Sequence, residues 1–517
     1  MGCDVQNIWV DLTALSSLLQ EADQLVSQGG PEATSVTVTG CSFDSRAVSA
    51  GDIFFCKGAA FRPAFLKMAL DAGAVAYVCE EPLADDLATV EGAQAATAFV
   101  VKSVRTVMAL VPPAVYGHPD EALSVVGITG TKGKTTTAFM LQSIIKAAGK
   151  TCGMMGSVTT DDGIESFEST NTTPEAPEVW RHLANCRASG RDAMVMEVSS
   201  QALKYQRVEN LSFDIACFLN IGRDHISPVE HPTYDDYFES KLHIFDQCRT
   251  AVVNLSSDDS DRVLAAAQKA DNVLTVGVET PNADIWAEDV VPVGFKVEFT
   301  LHGVSEAEGR RITLGIAGDF NVENALVAIA VARQLGLPFT AVEEGLAHLR
   351  VPGRMEVVES QDGRVVAVVD YAHNQLSFRS LFASVKRAFP QSKVISLFGA
   401  PGGKAHERRE QLPREAAPHS DLLIFCNEDP AHDDELQICQ ELASNVPDGT
   451  PYEIIVDRTK AVERAFELAR GDYAATSADA PTLVLLLAKG DEELMHCGSE
   501  FVPIESDLAL AKRLVNA

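Results

Sequence analysis

The stretch Gly127-Ile-Thr-Gly-Thr-Lys-Gly-Lys-Thr-Thr136 lies between the apolar run LSVV and the helical pattern TTAFMLQSIIKAAG. A glycine-rich turn between strand and helix lets successive backbone N–H groups approach a phosphate, and the helix dipole adds partial positive charge at the same point. Gly130, Thr131, Lys132 and Gly133 make up that turn. Lys134 then reaches the terminal phosphates, the Thr135 hydroxyl suits Mg²⁺, and Thr136 leads into the helix. The spacing departs from the general nucleotide-binding pattern, because Gly127 or Gly130 has to serve as its first glycine. A chance glycine-rich turn would lack the matching strand and helix on its two sides. The chemistry indicated is the handling of a nucleoside triphosphate.

Two further residues stand where neighbouring strands should end. Glu197 closes the run AMVMEVSS, and His225 follows FLNIGRDH. Either alone would more often be structural, but with Thr135 they form a donor set for a hard cation at the phosphate loop.

The hydrophobic pattern shows which elements must position these groups. From Ala122 onward short apolar runs, LSVVGITG, DAMVMEVSS, DIACFLNIG, AVVNLSS and NVLTVGV, alternate with helical stretches. Strands apolar on both faces imply a parallel sheet covered on both sides, with ligands gathering at its carboxyl ends. Upstream, SVTVTG, IFFC, FRPAFLKMALDAG and AVAYVC read as a small α/β unit, and Tyr116 to Glu121 reads as a linker. Downstream, VVAVVDYAH, KVISLFGA, DLLIFCNEDP, YEIIVD and TLVLLLAKGD read as a second layered, Rossmann-like sheet. The expected fold is α/β in three domains: residues 1–118, a central ATP-binding domain at 119–348, and a C-terminal domain at 349–517.

A chain of 517 residues exceeds what one core can serve. The net charge of −31 argues against nucleic acid or an anionic membrane as partner. An anionic substrate must therefore be gripped by local Lys, Arg and backbone N–H groups against the general field of the protein. The 11 cysteines include no CxxC pair and sit mostly in apolar runs, as reduced thiols of a cytoplasmic protein would. No apolar run approaches the roughly 18 residues of a membrane helix, so no membrane insertion is expected.

Ten motifs occur in a telling order: DSRAVSAGDIFF from Asp44, GTKGKTT from Gly130, NTTPEAP from Asn171, MEVSSQAL from Met196, NIGRDHISP from Asn220, YFESK from Tyr237, GDFNVEN from Gly318, VPGRME from Val351, DYAHN from Asp370 and AKGDEE from Ala488. In these the chain resembles the Mur ligases over nearly its whole length, and among them the members that add the third residue of the peptidoglycan peptide stem. The resemblance implies ATP and Mg²⁺ as cofactors, UDP-muramoyl-dipeptide and an amino acid as small-molecule substrates, and a monomer. Lys241 in YFESK, which alone would be a surface helix charge, is by this resemblance a carbamylated lysine (N6-carboxylysine) that helps hold metal. Asn321 and Asn324 are implied to lie at the adenine, and Arg354 and Asp370 to contact ATP from the third domain. Ser45 and Arg46 are implied to bind the UDP moiety, and Asn171, Thr172, Thr173, Ser199 and Arg207 the muramoyl peptide. Where the family often has Gln two residues before that arginine, this chain has Tyr205.

The resemblance also frames the choice of amine. Relatives that add diaminopimelate carry Asp-Asn-Pro-Arg, whereas this chain has Glu428-Asp429-Pro-Ala; Asp491 and Glu492 stand where those relatives have His-Glu. Acidic groups without the arginine favour a distal ammonium, hence L-lysine, with L-ornithine and diaminopimelate as alternatives. Lys404 occupies the place of an arginine expected at the α-carboxylate. A different amide-forming ligase of the same architecture, such as a folylpolyglutamate-like enzyme, and a ligation-inactive nucleotide-binding regulator are the competing readings.

Overall fold

The computed structural model of the chain describes residues 10–31, 36–223, 226–227 and 230–516. They form an α/β structure in two compact units, Met1–Trp286 with Leu326–Gly345, and Ala287–Ala325 with Leu346–Ala517.

Two sheets organise the first unit, beside a two-stranded pair of Val10–Asp11 with Thr37–Val38. The smaller has the strand order Leu25–Gly29, Thr97–Val101, Ala76–Glu80, Asp52–Phe55, Gly40–Ser42, and only its first pairing is antiparallel. Its inner strands are mainly apolar because both faces are covered. Phe55, Val78 and Phe99 pack against Leu15, Leu19 and Met108, while Phe54, Tyr77 and Cys79 pack against Leu66 and Leu87 on the other face. The helix Val104–Tyr116 ends at Gly117 in the left-handed conformation. The segment read as a linker is instead a packed turn: Pro119–Ala122 is a 3₁₀ turn in which the buried Asp120 accepts a hydrogen bond from Ser212 N at 3.2 Å.

The larger sheet of this unit contains, in order, Ser166–Glu168, Thr159–Asp161, Cys152–Met155, Ala193–Glu197, Ser124–Thr129, Phe213–Phe218, Cys248–Asn254 and Asn272–Val278. The last six are parallel, and the first two form an antiparallel margin. All five runs predicted from the sequence are strands here. The chain leaves Ser124–Thr129 for Cys152–Met155, returns to Ala193–Glu197 in between, and then crosses to the opposite side at Phe213–Phe218. That reversal opens a crevice at the carboxyl end of Ser124–Thr129, where a ligand can enter. The three-residue strands TTD and SFE of the margin are too short and polar to register as a hydrophobic pattern.

In the second unit the order is Glu356–Glu359, Val365–Asp370, Thr482–Leu487, Val394–Phe398, Leu422–Phe425, Tyr452–Ile454, parallel except for the first pairing. The last five match the predicted runs, and Glu356–Glu359 was not anticipated. An antiparallel pair, Lys296–His302 with Arg310–Leu314, was not anticipated; its alternating burial is that of a half-covered strand. Beneath the six-stranded sheet the helices Arg458–Arg470 and Asp507–Leu514 start at a buried ion pair, Arg458 to Asp507 at 2.6 Å, with side chains 5% and 1% exposed. Arg458 also donates to Leu487 O at 2.8 Å, tying both helices to a central strand.

Removing one member of a buried pair strands the other charge, at a cost of about 3–5 kcal/mol. Asp507→Asn should therefore lose stability on that scale in urea unfolding, whereas a change below about 1 kcal/mol would show that the pair does not anchor this layer.

Candidate active site

The phosphate loop leaves Ser124–Thr129 at the crevice. Gly130 has φ +152° and Gly133 has φ +88°, the latter at the cap of the helix Lys134–Ala147. A Cβ on Gly130 would stand 2.9 Å from Leu219 Cβ, so only glycine lets this turn pass the adjacent strand end. Asn220 clamps the loop from that side: Lys132 N donates to its Oδ1 at 2.9 Å, its Nδ2 donates to Lys132 O at 3.1 Å, and Thr131 N donates to its backbone oxygen at 3.0 Å. Asn220 lay inside a recognised motif without a role; its position directly after an apolar strand was the available signal.

Glu197 ends the neighbouring strand and is 1% exposed. Its carboxylate accepts the Thr135 hydroxyl at 3.0 Å, Ser157 N at 2.9 Å and Ser157 Oγ at 3.2 Å. Ser157 Oγ is 2.9 Å from Thr172 Oγ1. Thr173 Oγ1 donates to Glu197 O at 2.9 Å, Ser199 N donates to Thr173 Oγ1 at 3.0 Å, and Arg207 donates to Thr173 O at 3.0 Å. Thr135, Glu197, Thr172, Thr173, Ser199 and Arg207 thus form one connected network.

Lys241 closes the site from the helix Tyr234–Leu242. It is 2% exposed, so it is not the surface charge its sequence context suggested. Its Nζ donates to Gly130 O at 3.0 Å and lies 4.9 Å from the Tyr237 ring centroid. Lys134 Nζ donates to the same Gly130 O at 2.9 Å. The Tyr237 hydroxyl is 3.0 Å from Thr131 Oγ1. A cavity is lined by Lys134, Lys241, Tyr237, Asn171 to Thr173, Ser199 and Arg207, among others. His225 lies outside the described residues.

Ser45 and Arg46 sit on the small sheet's side of the unit. Ser45 Oγ is 3.9 Å from Met68 Sδ, and Arg46 is exposed and paired with Asp44 at 2.6 Å. The hydrogen bond from Arg46 holds the Asp44 carboxyl below its ordinary range. Another cluster of metal-ligating types, Asp162, Glu165 and His182, is structural: Asp162 accepts Ile164 N, Glu165 N and Asn185 Nδ2 and pairs with His182, while Arg181 occupies Glu165.

The second unit carries the other predicted residues. Asn321 and Asn324 are buried and bonded to each other at 3.1 Å. Asp370 accepts Met355 N at 2.8 Å and Ala372 N at 2.7 Å, and burial raises its carboxyl above the ordinary value. The Arg354 guanidinium lies 4.5 Å from the Tyr371 ring centroid. Lys404 is exposed on its loop. Lys489, to which sequence reading attached no role, is buried and uses all three donors, on Asp429 Oδ1 at 3.0 Å, Leu494 O at 2.8 Å and Glu492. Asp491 accepts the Ser506 hydroxyl at 3.0 Å. Glu428 differs: it is buried, and its Oε2 has no hydrogen-bond partner.

Comparison with known proteins places these features in a family. A model described as the Mur ligase middle domain matches residues 128–332, and one described as the Mur ligase, glutamate ligase domain matches residues 353–490. The UDP-N-acetylmuramoyl-L-alanyl-D-glutamate–L-lysine ligase of Enterococcus faecalis is 33% identical over 520 residues, covering 98% of this chain and 99% of that protein. The chain belongs to the Mur ligase family. Among solved structures, a UDP-N-acetylmuramoyl-L-alanyl-D-glutamate–2,6-diaminopimelate ligase shares the fold with a TM-score of 0.63 at 24% identity, covering 93% of this chain and 95% of that one. The MurF ligase of Thermotoga maritima in complex with ADP does so with a TM-score of 0.60 at 21% identity, covering 87% and 94%. The Mur ligase middle-domain match contains the phosphate loop, Glu197 and Lys241; the glutamate ligase domain match contains Arg354, Asp370, Glu428 and Lys489.

Burial pushes the Glu428 carboxyl up to about 7, against the pull of Arg458 and Arg408. Between the ordinary glutamate value and about 7 the folded protein holds a proton that the unfolded chain has released, so stability falls as pH rises through this window. At about 1.4 kcal/mol per pH unit, the stability difference between wild type and Glu428→Gln should drift by roughly 3 kcal/mol across it, in the mutant's favour at high pH. Chemical denaturation at several pH values reads this directly; a pH-independent difference would refute the assignment.

Proposed function

We propose that the chain is an ATP-dependent ligase that joins L-lysine to UDP-N-acetylmuramoyl-L-alanyl-D-glutamate through an acyl phosphate, in peptidoglycan synthesis. One observation carries the reading: Lys134 and Lys241 line the same cavity as Asn171 to Thr173 and Arg207, with Glu197 bonded to Thr135 at its edge. A phosphate grip thus adjoins residues suited to a carboxylated peptide. The name of the Enterococcus faecalis relative supplies the substrate and the amine, and the ADP complex of the Thermotoga maritima ligase supports the nucleotide. We assign residues 1–118 to the UDP-muramoyl substrate, 119–348 to ATP and 349–517 to the amino acid.

A carboxylate oxygen at the dipeptide end attacks the γ-phosphorus in line, and the bond to the β–γ bridging oxygen breaks, releasing ADP. Lys134 and the N–H groups at the start of the helix Lys134–Ala147 counter the charge that builds on the phosphoryl and leaving oxygens, Thr131 N and Lys132 N being held by Asn220. The lysine α-amine then attacks the acyl carbon, loses a proton, and phosphate departs with the C–O electron pair. A hard cation suits the site, since Glu197 is a buried carboxylate already holding the Thr135 hydroxyl. Mg²⁺ held by Thr135, Glu197, His225 and carbamylated Lys241 would neutralise phosphate charge and orient the triphosphate.

The carbamate reading of Lys241 draws support from electrostatics. Two lysine amines donate to the one carbonyl of Gly130; converting Lys241 to a carbamate replaces a like charge beside Lys134 with an opposite one. The distal ammonium of the incoming lysine is assigned to the acidic residues Glu428, Asp429, Asp491 and Glu492, of which Asp429 and Glu492 also hold Lys489. The described cysteines are free thiols, which supports a reducing cytoplasmic location. No helix among the described residues is long and apolar enough to cross a membrane.

Phosphate release and product mass, measured with UDP-muramoyl-dipeptide, ATP and a panel of lysine, ornithine and diaminopimelate, should show turnover with lysine at least tenfold above the others. ATP binding without turnover on any amine would favour a regulatory protein instead. Lys241→Ala should abolish ligation, with partial recovery on adding a short-chain carboxylic acid; full activity in that variant would dismiss the carbamate.

A further inference from the structure

Glu175 gathers more positive charge than one carboxylate can balance. It precedes the helix Ala176–Ala188, and its side chain is 12% exposed. Lys57 Nζ lies 2.8 Å from its Oε1, Arg207 Nε 3.1 Å from the same oxygen, and Arg105 Nη1 3.5 Å from Oε2. The three cations come from separate places: just beyond the strand Asp52–Phe55, the first turn of the helix Val104–Tyr116, and the segment after the helix Ser200–Lys204. Among the described residues their ion pairs all go to Glu175, a formal surplus of two positive charges in a protein of net charge −31.

Each cation is braced by contacts that do not neutralise it. Lys57 lies 5.0 Å from the Phe43 ring centroid, Arg105 stacks 5.2 Å from that of Tyr205 and donates to Tyr205 O at 3.1 Å, and Arg207 donates to Thr173 O at 3.0 Å. Arg207 Nε is buried and near Glu175, yet makes no hydrogen bond with it, so a donor is left over. Burial lowers the Lys57 ammonium from its ordinary value; Glu175 offsets this only in part, and Arg105 and Arg207 lower it further. A partly buried surplus of like charge is costly unless an anion arrives. Arg207 lines the cavity that also contains Lys134 and Lys241, so the surplus opens onto the reacting centre.

We propose that Lys57 and Arg105, together with Arg207, form an anion subsite for the nucleotide-sugar peptide, in which Glu175 is a resident counter-ion that an anionic group of the substrate supplants. The inference rests on the substrate assigned above. The anion is a carboxylate or a phosphate, both of which charged, hydrogen-bonding forks and ammonium groups bind well. Glu175 keeps the cations in place in the free protein and competes with the substrate, so its removal and that of a cation should act in opposite directions.

The test is calorimetric titration of the full-length protein with UDP-muramoyl-dipeptide, with UDP alone as a second titrant and with an ATP analogue as control. Lys57→Ala and Arg105→Ala should each weaken substrate binding about tenfold or more, a loss of about 1.4 kcal/mol, while binding of the ATP analogue stays within about twofold. Arg105→Lys should recover most of the loss. Glu175→Gln should tighten binding about threefold or more. If UDP weakens in parallel with the substrate in the alanine variants, the anion is the diphosphate; if UDP is unaffected, it is the peptide carboxylate. Weaker binding in Glu175→Gln, matching that of Lys57→Ala, would make the cluster a structural clamp and overturn the proposal. So would unchanged substrate affinity in Arg105→Ala, whose half-exposed side chain can be removed without threatening the fold. Absence of any binding by the wild-type protein would instead overturn the assigned substrate, and the subsite with it.

Discussion

A carboxylate buried at the end of a parallel strand is the constraint around which the first unit is arranged. Glu197 is 1% exposed, and a buried charge persists only where hydrogen bonds replace its lost water. Thr135 and Ser157 supply them. The neighbouring backbone must therefore come close, and a Cβ on Gly156 would collide with the carboxylate. The same closeness couples the start of the phosphate-loop helix to the segment bearing Thr172 and Thr173. Polypeptide from three strand ends is thereby held in one place, and fixed positions are what an electrostatically driven transfer requires.

Charge is distributed unevenly in this acidic protein. Lys134 and Lys241 converge on one carbonyl, and Lys57, Arg105 and Arg207 converge on one carboxylate. The second arrangement leaves a formal surplus of positive charge in the first unit. The second unit has the opposite balance. There Lys489 is enclosed by Asp429 and Glu492, and Glu428 stays buried with an unbonded oxygen.

Sequence patterns specified the layers well. Fully apolar runs of strand length can be satisfied only when both faces are covered, so SVVGIT, AMVME, FDIACF and TLVLLL announced parallel sheets. The phosphate loop was equally plain, because its glycines and lysines are consecutive. Patterns failed where burial is partial or elements are short, as in the margin formed by Thr159–Asp161 and Ser166–Glu168.

The sequence by itself determined the α/β class, the phosphate loop and the family to which the chain belongs, since each is encoded in contiguous residues whose local order is also their physical order. Tertiary structure alone decided which distant charges meet. Nothing in YFESK foretells that Lys241 is enclosed against Gly130 O, nothing near Lys489 foretells that Asp429 joins the local Glu492 in enclosing it, and nothing near Glu175 announces cations from positions 57, 105 and 207. Electrostatic energy depends on separation in space and on exclusion of water, and neither is a property of spacing along the chain.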